Sequence, residues 1–452
     1  MSLTEADKTL QNYLIPLIKT AHEVVVGAFA GNEIALQFET EQHVTMQGFE
    51  YTTKGTFYTG ASYQTLFKPL WIKTVFGIQK SVSATTEYTS TASFIESNYH
   101  PYAKAWFEQY VFQLIHIILD HRGNPDISLL EDHKRKFIND INMRTRTGSA
   151  KVYVFGILSQ SKTLEIEAGV ILRQTVREDI EARHKHSGKY SYFADPSAIL
   201  EITMQLHRGE TLILQEKVNR LVTLLRLYNT GSVHFDCFEM TFDSAVDGSQ
   251  QSGMQANMPN SWKVYALAEN EHKRFLHFIH HLPLPEQIYA YQKKPNYLTT
   301  AFDRYTESLL EKAHIERRIA NAVMAVEALL SSDTVELSFK MQTRTAKLLS
   351  FLGFQALEVR RKVSEAYSIR STFAHGGYLD DAKVERLEKK FGKIDDFAAT
   401  IINYVRILLI ISIVLGLDKK ILLPLVDDAL IDEGRTGELV EKMKLVMPFI
   451  HL

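Results

Sequence analysis

Cysteine is nearly absent from this sequence, since Cys237 is the single one among 452 residues. One cysteine cannot form an internal disulfide, so a disulfide-stapled fold is excluded and a reducing compartment is expected. Neither sign of charge is in excess, because 51 Lys and Arg face 53 Asp and Glu. A generally basic, polyanion-binding chain is therefore excluded, and any nucleic-acid site has to be a local patch.

Several functional signatures are also missing. The sequence contains neither G-x-x-x-x-G-K-[ST] nor G-x-G-x-x-G, so no nucleotide, dinucleotide or flavin cofactor is expected. The segment Met1–Lys19 lacks the pattern of a signal peptide. The longest apolar run, Ile401–Leu417, is short for a bilayer span of about 20 residues and is interrupted by Asn403 and Arg406. We predict a buried or dimer-forming helix there, no membrane association and a cytoplasmic location.

The chain is long enough for two or three domains, and 45% of its residues are apolar. Up to about residue 290 its patterns alternate between helical and strand periods without a βαβ rhythm, which indicates an α+β region of one or two subdomains. Helices are predicted over the first ~20 residues, Tyr102–His121 and Glu210–Tyr228. Several strands are predicted within Val24–Ser93, and one strand over Val233–Phe242. A hairpin is predicted over Lys151–Gln174, around the turn "SQSKT".

The pattern changes after Pro283, Pro285 and Pro295, and a second domain is predicted over residues 297–452. Nearly everything there has helical spacing. The expected helices are Leu298–Glu311, Ile315–Leu330, Glu336–Phe351, Ala356–Phe373, a broken Asp381–Gly416 and Gly437–Met447. The fold class is therefore an α+β region followed by an all-α bundle.

One motif in the helical part carries recognisable chemistry: Arg370 is followed five residues later by His375. The spacing alone is weak, because Arg274/His280 and Arg177/His184 also fit a loose Arg-x(4–6)-His pattern. Only Arg370–His375 closes a long amphipathic helix and precedes Gly376-Gly377, where glycine can adopt the left-handed conformation that ends a helix. His375 is therefore expected near solvent.

Helical geometry places the neighbours of this pair. Residues five apart differ by about 140° in direction, so Arg370 and His375 do not share one face of a regular helix. Ser371 does share a face with His375, and Tyr367 with Ser371. A phosphate held by both Arg370 and His375 is easier to bind if two such helices face each other across a two-fold axis.

An ordered set of segments resembles the HEPN superfamily, and within it the ApeA-like HEPN domains. The set consists of "AVEALL" with Glu327, "ELSFK", Arg344 with "AKLL", and "Y-x-x-R-S-x-x-x-H-G". The resemblance covers roughly Tyr297–Leu425 and implies a HEPN helical bundle. The region before it resembles no family, and its attachment suggests a sensor or regulatory role.

The resemblance implies metal-independent cleavage of single-stranded RNA by a homodimer whose two motifs form one composite site. Arg370 and His375 would be catalytic, with Ser371, Tyr367 and Glu327 in support. Many members are toxins or antiviral, abortive-infection effectors, so a phage or cellular trigger is expected. Ser371 departs from the Asn, Asp or His that many active members carry there. Histidine titrates near neutrality and arginine grips phosphate, as RNA cleavage through its own 2′-hydroxyl requires.

A basic helical face is the candidate RNA-binding surface. Lys340, Arg344 and Lys347 are predicted on one side of a helix, where they could follow an RNA backbone. A solvated helix surface is the alternative explanation.

Other interpretations remain open at this stage. His375 could be a helix-capping histidine without chemistry, and Arg370 could simply pair with Glu327. The domain could be a non-catalytic module that binds RNA or protein and dimerises, or the first region could hold the activity. His277, His280 and His281 have a metal-ligand spacing but no nearby carboxylate or cysteine, so a structural role and no metal are expected.

Overall fold

The computed structural model describes residues 4–30, 39–46, 49–57, 68–121, 123–142, 145–180, 196–207, 210–247, 250–253, 263–290, 294–311, 314–332 and 336–450. Within these ranges a first part mixes helices and strands, and a second part is helical. This order agrees with the fold class expected from the sequence.

The first layer is helical. It consists of α1 (Glu5–Ala30), α2 (Lys68–Ser83), α3 (Thr86–Asn98), α4 (Ala103–Asp120) and α5 (Ile127–Ile141). The apolar stripe of α1 is buried, as its spacing predicts, with only Ile18 partly exposed, and it packs into a core with α4 and α5. The helix continues through "VVVGAFA", for which the sequence pattern predicts a strand. That prediction was wrong because Val25 and Ala28 extend the same buried stripe by two turns.

The segment Val24–Ser93 holds fewer strands than expected. A hairpin is formed by β1 (Glu39–Met46) and β2 (Phe49–Phe57), and the rest of the described segment is helical in α1, α2 and α3. Most of the predicted strand "EIALQFET" and the second half of "GTFYTGASY" lie outside the described residues.

The main sheet has six antiparallel strands in the order β5-β6-β7-β3-β8-β9. The strands are β3 (Arg146–Phe155), β5 (Thr163–Glu167), β6 (Val170–Gln174), β7 (Ala198–Leu206), β8 (His234–Phe242) and β9 (Gln250–Gly253). A separate parallel pair is formed by β4 (Ile157–Ser159) and β10 (Tyr265–Leu267).

The predicted hairpin over Lys151–Gln174 has a different turn from the one expected. The "SQSKT" turn separates β4 from β5, which belong to different sheets. The tight hairpin is β5–β6, and its turn contains Gly169 with a φ of +76°. A Cβ at Gly169 would lie 2.3 Å from the backbone oxygen of Thr203, so only glycine fits there.

One helix joins the sheet to the helical part. It is α6 (Thr211–Tyr228), followed in the chain by the short helices α7 (His272–His281) and α8 (Glu286–Tyr289). The carbonyls of its last turn accept hydrogen bonds from side chains rather than from water: Tyr305 donates to Arg226 O, and Arg406 to Leu227 O and Tyr228 O. Arg406 is only 1% exposed, and the negative end of α6 stabilises its charge.

The helical part begins after the proline-rich segment. Its helices are α9 (Tyr297–Leu310), α10 (Ile315–Leu330), α11 (Leu337–Ser350), α12 (Ala356–Ala374), α13 (Asp381–Phe391), α14 (Ile394–Leu415), α15 (Lys419–Asp428) and α16 (Glu433–Val446). Six predicted helices are found within a few residues of their expected bounds, with the expected break before α14, and α15 is additional. The hydrophobic core of the helical part continues without interruption into the sheet and α6.

The apolar helix α14 lies inside this core. Among the described residues it is the one helix long and apolar enough to cross a membrane, but 72% of its most apolar window is buried within the protein. The two polar residues of this apolar run, Asn403 and Arg406, form a hydrogen bond with each other within the core, in which Arg406 Nε donates to Asn403 Oδ1 over 2.9 Å. A core helix accounts for these contacts.

Candidate functional site

The candidate site is built around an ion pair between α10 and α12. Glu327 lies in the last turn of α10, and Arg370 lies near the end of α12. Arg370 Nη2 donates to Glu327 Oε2 over 3.0 Å, and the two side chains are 29% and 16% exposed. The pairing considered from the sequence is therefore present, and it joins two helices that adjoin only in the folded chain.

Burial dominates the electrostatics of Glu327. Desolvation raises the pKa of its carboxyl above the ordinary value of 4.5, and the charge and hydrogen bond of Arg370 lower it only in part. The second oxygen, Oε1, is buried and accepts no hydrogen bond from the described part of the chain. Glu327 thus has one lone carboxylate oxygen beside a guanidinium, and it can fix Arg370 from one side while leaving its other nitrogens for a ligand.

The end of α10 that carries Glu327 is held by cations from two other helices. Arg344 Nη1 donates to Leu330 O over 2.5 Å, and Lys419 Nζ donates to Ala328 O over 2.8 Å. These carbonyls have no partner within their own helix, and cations near a helix C-terminus also oppose the negative end of its dipole. Burial and the neighbouring Arg344 lower the pKa of Lys419.

Arg344 therefore points inward and holds the end of α10, and a face of three exposed cations is not present. Arg344 is 4% exposed and holds Asp427 with two bonds, of 2.7 Å from Nε and 2.6 Å from Nη2. Lys347 is half-buried, reaches Thr436 Oγ1 over 3.3 Å and lies over a phenylalanine ring. Lys340 is also half-buried. The spacing of basic residues on a helix does not show whether they face solvent or the core, because Leu330 O and the half-exposed carboxylate of Asp427 can draw an arginine inward.

The end of α12 confirms the expected glycine signal. Gly377 N donates to Thr372 O over 2.9 Å and Gly376 N to Phe373 O over 3.0 Å, which is the Schellman pattern. Gly376 has a φ of +80°, in the left-handed region. His375 is the C-cap residue, and its side chain is exposed as predicted.

The structure brings some of the predicted site residues together and leaves others apart. The Arg370 guanidinium carbon lies 6.0 Å from the ring centre of Tyr367, so Glu327, Arg370 and Tyr367 form one cluster. Ser371 is half-buried one turn before His375. Within the described residues the His375 imidazole makes no hydrogen bond, and in particular none to Ser371 or Arg370. A single chain therefore presents a fixed arginine and an unengaged histidine.

The competing Arg/His patterns have local explanations. His280 Nε2 hydrogen-bonds Ile166 O over 2.7 Å, while Arg274 pairs with Glu271 at 3.3 Å. His184 lies outside the described residues. His281 Nδ1 approaches His277 O at 2.9 Å, and the described residues contain no group of three or more ligands suited to a metal ion.

Two features near the site have no signal in the sequence. Asp427, the partner of Arg344, follows it by 83 residues and lies in α15, for which the sequence pattern predicts no helix. Phe339 and Arg360 also form a pair, with the guanidinium carbon 5.6 Å from the ring centre. Only the packing of α11 against α12 places these two side chains side by side.

Comparisons of the whole chain with models of known protein families, with curated proteins and with solved structures found no match.

Proposed function

We propose that this protein is a HEPN endoribonuclease that cleaves single-stranded RNA without a metal ion. The observation that carries the proposal is the Glu327–Arg370 pair, whose arginine lies on the same helix, α12, that ends at an exposed His375. The arginine is oriented and partly accessible, and the histidine is exposed to solvent. The ordered HEPN-like segments of the sequence support the same assignment.

The residue types fit transesterification of RNA. Arg370 binds the scissile phosphate and stabilises the charge that develops on its oxygens. His375 removes the proton from the 2′-hydroxyl or delivers one to the leaving 5′-oxygen. The 2′-oxygen attacks phosphorus, the P–O5′ bond breaks, and the products are a 2′,3′-cyclic phosphate and a 5′-hydroxyl end. Glu327 orients the guanidinium, and Tyr367 and Ser371 shape the site around it.

A homodimer completes the site in this proposal. Arg370 and His375 point in directions about 140° apart along a regular helix, so one chain offers each group to a different side. Two copies of α12 facing each other supply two arginines and two histidines to one phosphate, and the histidines can divide the acid and base roles. The active protein is therefore expected to be a dimer by light scattering, and a monomeric active form would contradict the two-motif mechanism.

The biological role proposed is an antiviral, abortive-infection or toxin effector in the cytoplasm. The mixed α/β region would sense a phage or cellular trigger and restrain the nuclease. The contacts of Tyr305 and Arg406 with the last turn of α6 provide a physical link between that region and the helical part.

A non-catalytic RNA-binding or protein-binding dimerisation module is the second candidate. The observation that favours it is that Arg370 already has a partner in Glu327, as a purely structural pair would. The two candidates differ in what happens to RNA, because a binding module leaves its length unchanged.

Cleavage of a labelled single-stranded RNA in the presence of a chelator tests the proposal. The wild-type protein is compared with His375→Ala and with His121→Ala, a matched control because His121 is an exposed C-cap histidine of α4. Loss of cleavage in His375→Ala alone is the expected result. The nuclease assignment would be eliminated if the wild-type protein and His375→Ala both left the RNA uncut under conditions in which expression of the protein arrests growth.

A further inference from the structure

A groove opens where the beginning of α11 meets the middle of α12. Its volume is about 550 Å³, and it is lined by Glu336, Leu337, Ser338, Phe339 and Tyr367. Tyr367 belongs to the candidate site, because its ring lies beside the Arg370 guanidinium. The groove therefore shares one side chain, Tyr367, with the candidate site.

Both aromatic side chains of the groove have an arginine beside the ring. Phe339 is 54% exposed, and the guanidinium carbon of Arg360 lies 5.6 Å from its ring centre. The corresponding distance from Arg370 to Tyr367 is 6.0 Å. An aromatic ring paired with a guanidinium is a surface on which a flat, electron-rich ring can stack with either partner.

The charges around the groove favour a neutral ring inside it and phosphates outside it. The exposed carboxylate of Glu336 lines the groove and repels an anion there. Arg360 and Arg370 flank the aromatic rings and attract one. A nucleotide satisfies both requirements, because its base is uncharged and its phosphate is an anion attached to the same sugar.

We propose that this groove holds an unpaired base of single-stranded RNA, stacked on Phe339, next to the phosphate bound by Arg370. Phe339 and Arg360 then determine which nucleotide is presented to the cleavage site. Unstacked bases on aromatic and arginine side chains are the usual basis of single-stranded RNA recognition. This inference rests on the proposed function and adds a substrate-binding site to it.

Binding of a 2′-O-methyl RNA oligonucleotide to the full chain tests the inference, because such a probe lacks the 2′-hydroxyl needed for cleavage. Phe339→Ala should weaken binding about 5- to 150-fold, the range expected for loss of one stacked base. Phe339→Trp, which keeps a stacking surface, should bind nearly as well as the wild-type protein. Phe76→Ala is the matched control, since Phe76 is 56% exposed on α2 and far from the groove in sequence.

A set of probes with one abasic nucleotide adds a second readout. At one position the missing base should weaken binding to the wild-type protein and leave binding to Phe339→Ala unchanged. If Phe339→Ala binds every probe as tightly as the wild-type protein does, the groove is not a base-binding site. Cleavage of RNA by the wild-type protein would then show that the proposed function stands without it. If the wild-type protein neither binds nor cleaves single-stranded RNA, both the inference and the proposed function are lost.

Discussion

The replacement of Arg344 by methionine distinguishes a positioning residue from an RNA-binding one. Methionine keeps the aliphatic volume but removes three hydrogen bonds, two to Asp427 and one to Leu330 O. Asp427 is 44% exposed and regains water, so its loss of partner costs little. The carbonyl of Leu330 is left without a donor, which costs about 1–3 kcal/mol. We expect a total destabilisation of about 1–3 kcal/mol.

Thermal unfolding and RNA binding measure the two possible roles of Arg344 separately. Because the helical part shares its core with the sheet, the two should unfold together, and the loss corresponds to a fall of roughly 2–10 °C in the unfolding midpoint. Cleavage should also fall, because the turn that carries Glu327 is loosened. The salt dependence of RNA binding should stay unchanged, since a lost phosphate contact would reduce its slope by about 0.7 for a single strand.

The control for this experiment is Arg361→Met, an exposed arginine on α12, with an expected change within about 0.5 kcal/mol. A double-mutant cycle with Asp427→Asn should give a coupling of about 1 kcal/mol or more. Unchanged stability together with a smaller salt slope would refute the positioning role and restore Arg344 to an RNA-binding surface.

Three further changes have definite expected outcomes. Burial raises the pKa of Glu327, so the stability that this carboxyl contributes when protonated is lost as pH rises above 4.5. Glu327→Gln should therefore gain stability relative to wild type as pH rises above 4.5, in melts at each pH. A pH-independent difference would contradict this. Arg406→Met should lower the free energy of unfolding by about 3 kcal/mol, because two buried carbonyls lose their donor; an unchanged thermal melt would contradict it. Gly376→Ala should cost about 1–2 kcal/mol and reduce cleavage by moving His375, whereas Gly353→Ala, also at positive φ in open space, should cost the same in a melt and leave cleavage intact.

The helical part was largely predictable because its apolar period is long and its end signals are local. The glycine after His375 and the apolar stripe of α12 depend only on neighbours in sequence. The strands were less predictable. The run "VVVGAFA" is rich in β-branched residues, but its place on the buried stripe of α1 outweighs that propensity.

The candidate site was predictable as a set of residues but not as a geometry. The Arg370–Glu327 contact follows from the need of a half-buried carboxylate for a partner, and the sequence suggested it. The inward direction of Arg344 could not be read from a helical period, because it depends on Asp427 of a helix that packs nearby only in the fold. The Phe339–Arg360 pair also arises from helix packing.

Mapping of the RNA ends tests the central claim most directly. In the presence of a chelator, wild-type protein should produce a 2′,3′-cyclic phosphate and a 5′-hydroxyl end. Arg370→Ala should reduce this activity by at least about a hundredfold, because it loses the charge that stabilises the transition state. The control Arg361→Ala should retain the activity. Replacing the nucleotide before the cut with its 2′-deoxy form should abolish cleavage at that bond. Ends with a 5′-phosphate, or full activity in Arg370→Ala, would contradict the account.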